Sequence, residues 1–153
     1  MPNPRYLTFF VAVALAAAAS PSDVVIYSAK QIQQMMRQLA QKQSRFASLD
    51  LARHGTHYSL LAYRNATGSS ELHEHETDIF IVESGSATLV TGGQIVHPHT
   101  TKPGEVRGSS ISGGQRRQIG QGDIVEIPAQ TPHQLLIQNG GSFSYFVVKV
   151  IGR

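Results

Sequence analysis

The chain has 153 residues, 41% of them hydrophobic and 15% charged, with 14 glycines, seven prolines and no cysteine or tryptophan. That length fits one domain that buries its own core, and the missing cysteines exclude a disulfide framework, a thiolate zinc site, an iron–sulfur cluster and a cysteine nucleophile. The formal net charge of +3 is thinly spread, with Arg116-Arg117 as the one tight basic pair, so no basic stripe with aromatic platforms marks a nucleic-acid partner.

Residues 1–19 read as a secretory signal peptide: Arg5 is the positive n-region, Tyr6 to Ala19 the apolar run, and Ala17-Ala18-Ala19 the small residues of a cleavage site. The run is 14 residues, and a membrane span takes about 17–25. The expectation is therefore a secreted or periplasmic protein with no stable membrane anchor after cleavage.

Residues 20–48 form an N-terminal segment with one amphipathic helix. Ser28 and Gln31 make a capping box, and Ile32, Met35, Met36 and Leu39 recur at helical spacing. The helix is predicted over about Ala29 to Gln43, packing its stripe on the main domain or on a partner subunit.

From about Leu49 to residue 153 the pattern turns to short β-rich runs between glycine turns. The runs are His57–Tyr63, Ile79–Val82, Ala87–Val90, Asp123–Ile127, Gln134–Ile137 and Phe143–Val150. Their spacing predicts an antiparallel sandwich or barrel. Gly92 to Gly122 is polar and turn-rich, and reads as a long inserted loop or ribbon with weak strands near Glu105–Arg107 and Gln115–Ile119.

The chemistry lies in Glu71-Leu72-His73-Glu74-His75-Glu76-Thr77-Asp78. Alternate side chains of a strand share a face, so Glu71, His73 and His75 converge while the strand persists. A hairpin between His75 and Asp78 returns Asp78 beside them. His133 is the one histidine of the C-terminal third. Histidines plus a carboxylate, without thiolate, make an N/O ligand set for Fe, Mn, Zn, Ni or Cu. His97-Pro98-His99, by contrast, reads as a solvated loop. Arg53, Arg64 and Arg107 are expected at the surface, with orientation of an anionic substrate as the other possibility.

These segments resemble the paired motifs of the cupin superfamily. Asp78, six residues and Gly85 match the second half of the first motif; Gly122, Pro128 and His133 match the second in full. The resemblance spans about Tyr58 to Val150. It departs in having Asp78 where glutamate is usual, and only two residues between His75 and Asp78. Two registers follow. In one, His73 and His75 are both ligands; in the other, Glu71 and His73 take those places and His75 sits in the turn. His73, Asp78 and His133 belong to both.

The resemblance implies an all-β fold: a small antiparallel β-barrel of jelly-roll type with the helical arm at its N-terminus, paired as a homodimer. It also implies a divalent transition metal held by His73, Asp78 and His133 with Glu71 or His75. The function expected is a metal-dependent enzyme, dioxygenase- or isomerase-like, on a small-molecule substrate, with Glu71 as general base if it leaves the metal. The alternative is a non-catalytic module that binds a small ligand or sugar around a structural metal.

Overall fold

A computed structural model describes residues 24–152. The apolar leader at residues 1–19 lies outside the described residues. Among those described, no helix is long and apolar enough to cross a membrane.

The one helix among them, α1, runs Ala29–Ala40. Ser28 is extended and caps it: its Oγ accepts from the Gln31 backbone N–H, while Gln31 Oε1 accepts from the Ser28 N–H. The helix stops short of Gln43 because the next position on its apolar stripe is that polar residue, with nothing to bury. Ile32, Met35, Met36 and Leu39 pack on Ala47, Leu51, Leu61, Tyr63 and Phe146. The stripe thus packs on the protein's own sheet, with Leu39 buried and Ile32, Met35 and Met36 half-buried.

Twelve strands follow. They are β1 (Phe46–Arg53), β2 (His57–Arg64), β3 (Ser70–His73), β4 (Glu76–Thr91), β5 (Gln94–Val96), β6 (His99–Lys102), β7 (Glu105–Gly108), β8 (Ser110–Ser112), β9 (Gln115–Gly120), β10 (Ile124–Ile127), β11 (His133–Leu136) and β12 (Phe143–Ile151). Every pairing is antiparallel. The order across the main sheet is β1-β2-β12-β4-β11-β3-β7-β6, with β9 and β10 also on β4. The architecture is the expected jelly roll, a curled antiparallel sheet with one helix outside it.

The runs Ile79–Val82 and Ala87–Val90 are one bent strand. The first half of β4 pairs with β12 and β10, and the second half with β9 and β11. The change falls at Gly85, whose φ is +75°. A Cβ there would collide with the Ser142 carbonyl, so glycine lets the strand cross between the two walls. Alternation then sorts the residues. On β2, Leu60 and Ala62 face the barrel and Leu61 faces the helix. Phe80, Val82, Leu89, Phe143, Tyr145 and Val147 fill the interior.

The Gly92–Gly122 segment takes the ribbon form: the weak strands expected near Glu105–Arg107 and Gln115–Ile119 are β7 and β9, and β5, β6 and β8 add to them. Its strand β7 lies beside β3, with Glu71 opposite Arg107 and His73 opposite Glu105. β1 also begins earlier than expected, at Phe46. Polar side chains are frequent at the exposed positions of both stretches, so hydrophobic patterning understates these strands.

Candidate functional site

Strand β3 carries the site. It lies between β7 and β11, and Glu71 is register partner to both Arg107 and His133. Its last residue, His73, is buried. The turn at Glu74-His75 is pinned by the Glu74 N–H donating to the Gly104 carbonyl at 2.8 Å. β4 then returns with Asp78 inward, and β12 sets Lys149 opposite Asp78 on one side and Tyr58 on the other.

Ligand atoms of Glu71, His73 and His133 all lie within 4.8 Å of one another. Asp78 Oδ2 is 3.5 Å from His73 Nε2 and 3.6 Å from His133 Nε2. His75 does not join them: its side chain is 69% exposed and its neighbour is Glu74 at 3.7 Å. The geometry is that of the register with His75 in the turn. His97 and His99 are exposed and separate, His97 Nδ1 lying 3.2 Å from Ser109 Oγ.

His133 Nδ1 is 3.0 Å from the Thr131 carbonyl. A carbonyl only accepts, which assigns the proton to Nδ1 and leaves the Nε2 lone pair aimed at Asp78. Burial holds the His133 pKa below its ordinary value, so the ring is a neutral donor.

Glu71 meets two guanidiniums, Arg64 at 3.2 Å and Arg107 at 3.1 Å. Burial alone would raise its pKa. Contacts with His73, Arg107, His133 and Arg64 outweigh that, and hold the carboxyl far below the usual carboxylate range. Glu105 is balanced similarly. Burial pushes it up, and hydrogen bonds from Arg107 and Thr101 with the charges of Arg107 and Lys102 bring it down to about 2.

Three functional-looking groups escape a reading by motif. Lys149 Nζ donates to His73 Nε2 at 2.7 Å and to Asp78 Oδ2 at 2.9 Å. Tyr58 Oη donates to both Glu76 oxygens, at 3.0 and 3.1 Å. Arg64, expected at the surface, is buried and donates through Nε to Tyr145 Oη at 3.0 Å. The signal for Lys149 was available: it falls in phase with the inward Phe143, Tyr145 and Val147 of one strand, where a charge is costly without a partner.

The residues fit a divalent metal. The donor set is two imidazoles and two carboxylates, and Asp78 Oδ1 is buried without a hydrogen bond although it lies 2.7 Å from Lys149 Nζ. Beside it opens a cavity of about 290 Å³, whose walls include Arg53, Tyr58, His73, Asp78, Tyr145 and Lys149.

No protein-family model matches the chain, and no curated protein does. Solved structures match in fold. DMSP lyase DddQ from Ruegeria pomeroyi is 20% identical with a TM-score of 0.50, over 69% of this chain and 47% of that one. The chain thus spans about half the length of DddQ. A cupin superfamily protein from Desulfitobacterium hafniense is 15% identical with a TM-score of 0.51, over 72% of this chain and 81% of that one. An uncharacterised protein with a double-stranded β-helix domain from Klebsiella pneumoniae is 14% identical with a TM-score of 0.59, over 86% and 93%. The fold is that of the cupin superfamily.

Proposed function

We propose that this protein is a metal-dependent enzyme of cupin fold acting on a small organic acid. What supports it is the convergence of Glu71, His73, Asp78 and His133 from β3, β4 and β11 on one buried point, with a cavity of about 290 Å³ beside it. Export and pairing into a homodimer belong to the same proposal, and rest on the leader pattern and on the resemblance.

Glu71, His73, Asp78 and His133 would hold the ion, which when bound supplies Lewis acidity or, as iron, redox capacity. The chain's residues supply the rest. Arg53 stacks on the Tyr58 ring at 4.1 Å and, among the described residues, has no ion-pair partner, so its charge is free for a substrate carboxylate. Burial, with the Glu76 charge, pushes the Tyr58 pKa well up, which keeps the phenol protonated and able to donate. Glu71 serves as a ligand and not as general base: a carboxyl held so acidic takes up protons poorly at neutral pH. Glu76 is the carboxylate offered as base, with the Tyr58 phenol as its hydrogen-bond donor, and a base beside the site supports redox-neutral, isomerase-like or lyase-like chemistry over a dioxygenase.

A second reading, a non-catalytic binding module, draws on a specific observation. The inward acids near the site have cationic partners in the chain: Arg64 and Arg107 for Glu71, Arg107 and Lys102 for Glu105, and Lys149 for Asp78 and Glu76.

The test is metal analysis of untagged protein, then turnover assays on small carboxylates under air and under nitrogen. Near-stoichiometric metal that is lost in His73→Ala and His133→Ala is expected. Trace metal that neither variant changes would overturn the metal; stoichiometric metal with binding but no turnover would select the module.

A further inference from the structure

Lys149 stands where a cation belongs. Its ammonium is 2.7 Å from His73 Nε2 and 2.7 and 2.9 Å from the two Asp78 oxygens. Those are lone pairs that a metal would need from two of its four ligands. The side chain is 12% exposed, and its backbone is set by register between Asp78 and Tyr58, so the ammonium is not a surface group that happens to point inward. An ammonium has only donors, and like charges repel strongly at this separation away from bulk water. Lysine and metal therefore cannot both take Asp78 and His73. Another seat is at hand: Glu76 Oε2 lies 3.8 Å from Nζ and already accepts from Tyr58 Oη.

We propose that Lys149 is a tethered cation that competes with the metal for Asp78 and His73, so that loading the site moves the ammonium to Glu76. This rests on the metal reading above and adds to it a built-in control of metal affinity. It also assigns Glu76 a positioning role, since its carboxylate would act on the metal chiefly by holding Lys149, with a longer contact of 4.0 Å to His73 Nδ1 beside it.

Zinc titrated into metal-free, untagged full-length protein tests this. Lys149→Met is expected to bind zinc about tenfold or more tighter than the wild type, since a repelling charge at contact distance is gone. Glu76→Gln is expected to bind several-fold more weakly, because the ammonium loses its second seat. In the Lys149→Met background the effect of Glu76→Gln should shrink to what its 4.0 Å contact with His73 Nδ1 contributes, clearly less than in the wild type; an undiminished effect overturns the second seat. Equal or weaker zinc binding by Lys149→Met overturns the competition and leaves the metal reading standing. No zinc binding in any variant removes the metal reading, and this inference with it. Should Lys149→Met fail to fold, the wild type still answers: the Lys149 side-chain NMR signal must move in step with zinc occupancy, and a signal that stays put overturns the proposal.

Discussion

Glu71 and His133 are register partners on adjacent strands, β3 and β11, and behind them Arg64 and Arg107 each lie within 3.2 Å of Glu71. A β-bridge thus delivers an acid and an imidazole to one point, and two guanidiniums keep the acid ionised there. The carboxylate could not stay charged in this interior without them.

Arg64→Ala should therefore destabilise the protein by about 3 kcal/mol, within the range for breaking a buried ion pair. It strands Tyr145 Oη and removes one of two cations from Glu71. Urea midpoints read the loss. The double variant Arg64→Met with Glu71→Gln should lose clearly less than the sum of the two single changes; strict additivity would show that the pair is not coupled.

Acid should unfold the protein through Glu105 and Glu71. Both carboxyls sit lower in the fold than in the unfolded chain, Glu105 at about 2 against an ordinary 4.5. A depressed folded pKa contributes stability that is present above the unfolded value and lost as pH falls toward the folded one. The urea midpoint should hold above pH 5 and drop between about pH 4.5 and 2. In Glu105→Gln that drop should be shallower.

Gly85→Ala should cost about 2 kcal/mol or more, combining a positive φ with a collision at the Ser142 carbonyl. Gly92→Ala is the control. It has nearly the same φ, +74°, but nothing within 4 Å of the added methyl, and should cost only about 1 kcal/mol. Thermal melts that rank the two equally would refute the role of Gly85 as the crossing point of β4.

Leu39→Ala should cost about 2–4 kcal/mol, since this side chain is 2% exposed against Leu61 and Ala47. The damage should stay on the outer face of β1 and β2. Limited proteolysis should cut first between residues 29 and 45, while zinc stoichiometry stays at the wild-type value.

Much of the fold is legible in the sequence. The capping box and the four-residue stripe define α1, and β-rich runs between turns identify the antiparallel barrel. Gly85, Gly122, Pro128 and His133 carry the family resemblance. In the polar segment from Gly92 to Gly122 the weak strands near Glu105 and Gln115 were legible, as β7 and β9, but β5, β6 and β8 were not; β6, with every side chain exposed, lacks the alternation that marks a half-buried strand. Arg64 escaped for a related reason: an isolated basic residue looks the same in sequence whether it faces solvent or an acid. For Lys149 the strand phase gave the face, but not the acid it meets there.

What the sequence by itself determined is the inventory and its local phase: which side chains could share a face, where turns fall, and that Glu71, His73, His75, Asp78 and His133 were the groups able to meet. The tertiary structure alone decided which of them do. Pairing β3 with β11 and β7, and β4 with β12, rotated His75 out into a turn and swung Lys149 in against Asp78 and His73. The reason is range. Periodicity acts between neighbours a few residues apart, whereas the charge that a buried acid needs must come from whichever strand the sheet sets beside it.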